Sequence, residues 1–557
     1  MGGYRLVDLC VMVDTPLERR TVLKAAGTAA GAAAVLGPLG LASPAAAAST
    51  TFQHGVASGD PLPDSVLLWT RATPTADAKP GSGVGPTVTV TWEVATDAAF
   101  RSIVRRGTFE TGPSRDHTVK VDVKGLRPDT DYHYRFRYKT TNSTVGRTHT
   151  APAYDADVAH LKLGVVSCAN WEAGYFSAYR HLAQRGDLDA VVHLGDYIYE
   201  YGTGGFAAAG RVVRPHQPSH EIVTLQDYRV RHATYKTDPD LQALHAAVPW
   251  IITWDDHEVA NDAWSGGAEN HQPATEGNWP DRVAAAHKAY AEWMPVRLGA
   301  DGAIYRRLRF GTLADLSMLD LRSYRSQQAG GVATDDPTRS ITGHAQMDWL
   351  LAGLAASEAR WKIVGNPVMI SRLDFGTLPA WLLGPLAKLI GIPSNGYAPN
   401  SDAWDGYNAD REQLVNYLRA HELSNVVFIT GDIHTSWASE LTTRSTVWSP
   451  TAVEFVVTSV TSDNFDDFAH VAPDTLSLVA GGILRAANPH VKWNELDQHG
   501  FGVLDVTPDT CRMDWWFVND RTRPDSGAYL AKSFSVGDGV ARIRAESAPT
   551  ARGSAAM

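Results

Sequence analysis

The sequence predicts an α/β fold preceded by a small all-β domain, and three observations carry that prediction. Four apolar runs read as strands, and each ends in residues able to bind a cation. They are Leu163-Gly164-Val165-Val166 before Ser167-Cys168, Val191-Val192-His193-Leu194 before Gly195-Asp196-Tyr197-Ile198-Tyr199, Ile251-Ile252-Thr253-Trp254 before Asp255-Asp256-His257-Glu258, and Val427-Phe428-Ile429-Thr430 before Gly431-Asp432-Ile433-His434. In an open α/β sheet, ligands collect at the carboxyl ends of strands. From residue 154 onward strands alternate with helical stretches such as Phe176–Gln184, Asp281–Trp293 and Ala345–Ala356, the order expected of α/β architecture. Residues 49–153 show only short strand-like runs separated by Gly, Pro and Asp.

In chain order, residues 1–48 read as a signal peptide. Glu18-Arg19-Arg20-Thr21-Val22-Leu23-Lys24 resembles the twin-arginine motif, an alanine-rich apolar stretch follows from Ala25 to Ala42, and Ala45–Ala48 supply small-residue cleavage sites. Met12 is an alternative start to Met1. Twin-arginine export moves folded proteins, which suits a protein that loads its metal before leaving the cytoplasm; the expected destination is extracellular. No other run reaches the ~18 apolar residues of a membrane span, so no transmembrane anchor is expected.

The β-domain, 49–153, is built from Val66–Thr70, Val88–Val94, His117–Val123 and Leu126–Phe136. In the last of these, Pro128-Asp129-Thr130-Asp131-Tyr132 resembles the late-strand corner of fibronectin type III and immunoglobulin-like sandwiches, where a tyrosine hydroxyl bonds backward. The α/β domain spans 154–533. Within it, Gly202–Asp227 and Asp262–Asp281 read as long loops over a site. Residues 534–557, rich in Gly, Ala and Ser, read as a partly disordered tail.

Composition narrows the function. The 557 residues carry a formal charge of −11 at pH 7, which excludes a stable nucleic-acid partner held by charge. Small phosphate esters remain available to a local metal site. Of three cysteines, Cys10 lies in the signal, Cys168 at a strand end, and Cys511 between strand-like runs, where it reads as a small buried hydrophobe; this is no disulfide framework.

The strand-end residues specify a chemistry. Asp196 follows a strand directly, with the Tyr199 phenol three residues on; a carboxylate can bridge two cations and a phenolate suits Fe(III). Asp256 and His257 stand at a second strand end. Asp432 and His434, one residue apart in extended chain, point the same way. Two metals about 4 Å apart hold the attacking and leaving oxygens of an in-line phosphoryl displacement. His257 is a candidate to face the substrate or protonate the leaving oxygen, or else to support Asp256. Asn170 is a candidate phosphate contact. Arg322 and Arg325 read as phosphate-binding or as surface salt bridges, Asp255 as a support, and His216 and His220 as solvated loop residues.

These blocks resemble the calcineurin-like metallophosphatase superfamily, whose motifs run Asp, Gly-Asp-x-x-Tyr, Gly-Asn-His-Glu and Gly-His-x-His. Cys168 in place of the first Asp, Asp256 in place of Asn and Asp432 in place of the first His make the pattern similar to the alkaline phosphatase D (PhoD-like) family. Val56–Pro61, Leu68–Arg71, Asp320–Arg325 and Trp404–Tyr407 resemble further blocks of that family, so the likeness runs from about Phe52 to Trp516. It implies an αββα metallophosphatase domain behind the sandwich. It also implies Fe³⁺ held by Cys168, Asp196, Tyr199 and His434, and Ca²⁺ held by Asp196, Asp256 and Asp432, with Mn²⁺ or Zn²⁺ as substitutes. The implied activity is hydrolysis of phosphate mono- and diesters by a metal-activated hydroxide, in a secreted monomer. The alanine- and glycine-rich, twin-arginine character resembles actinobacterial members, some of which are phospholipases D, so release of a phospholipid head group is the alternative. An inactive secreted binding protein is the less favoured reading, since no block is broken. His490-Val491-Lys492 with Asp497 matches the H-x-K-x-x-x-x-D spacing of histidine-nucleophile phospholipases D. Only one copy is present and those enzymes need two, so it reads as a chance match.

Overall fold

The structure is a computed structural model that describes residues 51–206, 211–374, 400–443 and 448–547. The expected signal peptide lies outside the described residues. The first segment forms strands β1 (Val56–Leu62), β2 (Ser65–Arg71), β3 (Val88–Ala95), β4 (Ile103–Thr111), β5 (Thr118–Lys124), β6 (Asp131–Tyr138), β7 (Thr141–Asn142) and β8 (Gly146–His149). Strands β3, β4, β6, β7 and β8 make one sheet. It packs on β1, β2 and β5 through Val66, Leu68, Val90, Val94, Val119, Tyr134 and Phe136, all buried. The tyrosine corner is present: the Tyr132 hydroxyl accepts from the Arg127 amide at 2.9 Å.

The sandwich is not a detached module. Its β1–β2–β5 face continues a ten-stranded sheet of the second domain, ordered β22-β21-β20-β19-β9-β10-β11-β1-β2-β5. Here β9 is Leu161–Val166, β10 Ala190–His193, β11 Trp250–Ile252, β19 Gly500–Val506, β20 Thr510–Val518, β21 Ala528–Gly537 and β22 Ile543–Ala545. The splice is at Gly59, paired in parallel with Trp250. A Cβ there would sit 2.0 Å from the Pro295 carbonyl oxygen, so only glycine lets the two backbones meet. The sandwich also grips helix Trp279–Trp293: Trp69 Nε1 donates to Glu292 O at 2.8 Å, and Lys120 Nζ donates to the Ala291 carbonyl at 2.5 Å near the helix's end. The carboxyl end of a helix attracts a cation there.

A seven-stranded sheet completes the core, ordered β12-β13-β14-β15-β17-β16-β18, from Arg306–Phe310, Ala314–Met318, Trp361–Asn366, Val426–Thr430, Ala452–Val456, Ser436–Leu441 and Val491–Glu495 respectively. Strands β9–β10–β11 and β13–β14–β15–β17 run parallel within their sheets. Leu163, Val165, Val192 and Ile251 of the first sheet meet Leu316, Ile363, Val427, Ile429 and Phe455 of the second in one dry cluster. Helices Ser177–Ala183, Leu225–Tyr235, Pro239–Ala247 and Trp279–Trp293 cover the outer face of the first sheet, and His344–Ala356 and Asn408–Ala420 that of the second. This is the αββα layering that the resemblance implied. Parallel strands covered on both faces read as continuous apolar runs, which is why β9, β10 and β15 stood out in the sequence.

The tail begins later than the sequence suggested. Phe534–Gly537 completes β21, and Ile543–Ala545 pairs with it; residues 548–557 lie outside the described residues. Among the described residues no helix is long and apolar enough to cross a membrane. Cys168 and Cys511 are both buried and free.

Candidate metal centre

The ends of β9, β10 and β11 in the first sheet face the end of β15 in the second. Gly431, after β15, lies against Ser167, after β9; a Cβ on it would come within 2.6 Å of the serine side chain. The four loops turn sharply into a common space. Cys168, Asp196, Asp432 and His434 all have left-handed backbone, with φ of 58°, 55°, 67° and 55°. For non-glycine residues such conformations cost of order 1–3 kcal/mol each and gather at functional sites. Gly195, at φ 116°, has Asp255 so close that a Cβ would fall 2.4 Å from the aspartate's own.

One ligand atom each from Cys168, Asp196 and His434 lies within 4.8 Å of the others. The Tyr199 hydroxyl joins them, 3.2 Å from Asp196 Oδ2 and 3.3 Å from His434 Nε2. A second group, Asp196, Asp256 and His257, has the same span and shares Asp196 with the first. All of these side chains are buried. His434 Nδ1 donates to the Asp463 carbonyl at 2.5 Å, which leaves Nε2 with its lone pair toward Tyr199 and Asp196, and burial pushes the imidazole down to about 3, the neutral form a ligand needs.

The donor set fits cations. Asp196 Oδ1 is buried and accepts no hydrogen bond. Burial, with Asp196 beside it, pushes the Cys168 thiol well up, and burial likewise pushes Asp196 and Asp432 well up. Six aspartates, 196, 255, 256, 262, 402 and 432, converge on Arg322, Arg325 and His257. Buried like charges in such excess call for added positive charge.

Surrounding side chains were less visible in the sequence. Glu258 ties two strand-end loops together: its carboxylate accepts from the amides of Asp196 at 3.0 Å, Tyr197 at 2.5 Å and Asp255 at 2.7 Å. Glu200 accepts from His257 Nδ1 at 2.7 Å and from Asn261 N and Asn270 Nδ2 at 2.7 and 2.8 Å. Although burial opposes the charged imidazole, Asp256, Glu200 and Asp196 outweigh it and hold His257 well above its ordinary value. Asp262 and Asp402 converge with Asp256 within 4.8 Å. Glu258 stands at the Glu of the Gly-Asn-His-Glu motif, while adjacency to Tyr199 was the only signal for Glu200.

The remaining candidates sit in varied surroundings. Asn170 Nδ2 donates one hydrogen to Phe206 O at 3.2 Å and Oδ1 accepts from Glu172 N at 3.0 Å, so it braces the loop above the centre. Asp432 is drawn to Arg322, 3.5 Å from Nη2, and does not share the span that Asp196 and Asp256 do. Arg322 is 4% exposed and is no surface residue; it donates to both oxygens of Asp402 at 2.9 and 2.8 Å and to Asp255. Arg325 donates to Asp402 and Tyr407 through Nη2 and Nε, while its Nη1 is buried without a partner. His216 is fully buried, with Nδ1 on Tyr201 O at 3.0 Å, while His220 stays exposed. The H-x-K spacing assembles nothing: His490 Nε2 bonds the Arg372 carbonyl at 2.7 Å and Lys492 leaves toward Glu440.

Residues 163–515 match the PhoD-like phosphatase family and residues 40–152 its N-terminal domain. The chain belongs to the PhoD-like phosphatase family. Alkaline phosphatase D of Bacillus subtilis (strain 168) is 39% identical over 523 residues, which span 91% of this chain and 84% of that protein. The solved structure of PhoD aligns with a TM-score of 0.79 at 38% identity, over 91% of this chain and 94% of that one. As a PhoD-like phosphatase the protein is a phosphoric ester hydrolase, and its buried thiol, phenol, imidazole and carboxylates are the groups able to hold the metal on which such an enzyme depends.

Proposed function

We propose that the protein is a secreted, twin-arginine-exported phosphoesterase acting as a monomer on phosphate mono- and diesters at a binuclear centre. The observation that carries this reading is the shared Asp196: one carboxylate belongs both to the Cys168–His434 group and to the Asp256–His257 group. Thiol, phenol and imidazole around the first position favour Fe³⁺. Carboxylates from Asp196, Asp256, Asp262 and Asp402 around the second favour Ca²⁺, with Asp432 beside them at Arg322 as a further oxygen donor. When bound, the metals supply Lewis acidity that acidifies a nucleophilic water and stabilises charge on the phosphoryl oxygens. The chain supplies the rest. Glu200 fixes His257 Nδ1, leaving Nε2 to give a proton to the departing alkoxide. Arg322 balances the aspartates. Phe206, stacked on Tyr199 at 5.4 Å and lying 5.3 Å from His257, keeps water from the flank of the site.

Elemental analysis of the purified enzyme, paired with hydrolysis of mono- and bis-p-nitrophenyl phosphate, tests the reading. Iron and calcium together with activity on both esters are expected. Zinc alone, or activity untouched by strong calcium chelation, would overturn the metal assignment. Release of choline from phosphatidylcholine at rates above diester hydrolysis would move the substrate class to phospholipid.

A further inference from the structure

Away from the centre, the turn after helix Phe465–Ala469 and the end of β18 gather carboxylates that no base answers. One oxygen each from Asp474, Glu495 and Asp497 lies within 4.8 Å of the others. Oxygens that share one calcium ion lie at most about 5 Å apart, twice the Ca–O distance, so the cluster has the span of a coordination shell. A second observation points to a ligand. Asp497 is 4% exposed; its Oδ2 accepts from Ser477 Oγ and from the Asp474 amide at 2.7 Å, yet its Oδ1 is buried and accepts nothing. Asp466, 8% exposed and close enough for Asp497 to perturb it, carries another orphaned buried Oδ1. A buried acceptor left without a partner costs about 1–3 kcal/mol, and more when charged.

Bases nearby are already committed. Arg521 pairs with Asp463 and Asp467, His499 with Asp467, and Lys492 with Glu440. Among the described residues no salt bridge reaches Asp466, Asp474, Glu495 or Asp497. Burial pushes the carboxyls of Glu495 and Asp497 up, as expected of acids short of a cation.

We propose that Asp474, Glu495 and Asp497, backed by Asp466, form a structural calcium site separate from the metal centre. All its donors are oxygens, which selects a hard cation, and the exposed Asp474 lets the ion enter from solvent with part of its water shell. The site would pin the turn at His470–Asp474, both ends of which have left-handed backbone, to the end of β18. That turn follows the segment in which the Asp463 carbonyl orients His434, and in which Phe468 packs at 6.0 Å on Phe206. Calcium here would therefore hold the wall of the centre without touching substrate.

Equilibrium dialysis of the iron-loaded enzyme against radioactive calcium, comparing wild type with Asp474→Asn/Glu495→Gln, tests the proposal. The wild type should bind one calcium per chain more than the variant, with equal iron in both. Limited proteolysis between residues 470 and 476 should be faster in the variant, and in the wild type at low calcium. Asp474→Ala, an exposed change that cannot unfold the core, should show the same deficit if the double variant folds poorly. Equal calcium stoichiometry in wild type and Asp474→Ala, with calcium-independent cleavage of the turn, would overturn it.

Discussion

At His257 four residues converge on one imidazole: Glu200 at Nδ1, the Tyr199 ring stacked at 4.2 Å, and the carboxylates of Asp196 and Asp256. The acids favour the protonated ring, the form of a general acid. His257→Ala should cost on the order of 10²-fold or more in turnover of an alkyl phosphate, and clearly less for p-nitrophenyl phosphate, whose leaving group barely needs a proton. Equal losses on both esters would deny the acid role. Glu200→Gln should fall between the two and shift the acidic-to-alkaline fall of kcat to lower pH, because a neutral amide no longer favours the imidazolium. At Tyr199, phenolate bound to Fe³⁺ would absorb visible light. Tyr199→Phe should bleach or shift that band while near-ultraviolet circular dichroism stays intact; an unchanged spectrum would remove Tyr199 from the first position. Residues of this kind were legible because each follows an apolar run at fixed spacing. Glu200 and Asp402 were not, since they act through partners 57 and 80 residues away, His257 and Arg322, and no local pattern records that distance.

Between elements, Glu258 is the rivet. From the loop after β11 it receives three amides at 3.0 Å or less, two of them from the loop after β10, so Asp196, shared by the two donor groups, is aimed by a side chain of another strand end. Its burial pushes the carboxyl up to about 8. Glu258→Ala should lower metal affinity by about 10–100-fold, the usual cost of losing a group that orients a ligand, and should do so for both metals at once. Elemental analysis after dialysis reads this, and loss of calcium with iron retained would show that Asp196 is held by other means. The separate strands and helices were readable, from Ser65–Arg71 to Trp279–Trp293, because their apolar patterns are strong. Their joining was not. A single parallel pair, Gly59 with Trp250, merges the sandwich with the large sheet, and a lone glycine in a strand gives no hint of what approaches it.

Across the whole molecule, stability should carry the mark of bases sealed behind the metal loops. Lys236 Nζ lies 3.0 Å from the Tyr197 hydroxyl, 3.3 Å from His245 Nε2 and 4.5 Å over the Trp69 ring, with no acid paired to it among the described residues. His54, His193 and His232 are buried nearby, and all three are lowered by burial and then by Lys236 or Arg71. Burial holds Lys236 at about 7, whereas the unfolded chain keeps that proton to about 10.4. Between those values the unfolded state binds more protons than the folded one, so this group makes the protein more stable as pH rises, by up to about 1.4 kcal/mol per unit. Below about 7 both states hold the proton and the penalty is constant; above 10.4 it is gone. Acids such as Glu258 have the opposite sign over part of the same range, so the total curve does not isolate the lysine. Comparison with Lys236→Met does, because the acids are common to both proteins. From pH 7 to 10 wild type should gain at most about 4 kcal/mol relative to the variant, seen as a Tm difference that changes by a few degrees in calcium-containing buffer. A Tm difference independent of pH over that range would mean that Lys236 stays charged in the fold, paired through Tyr197.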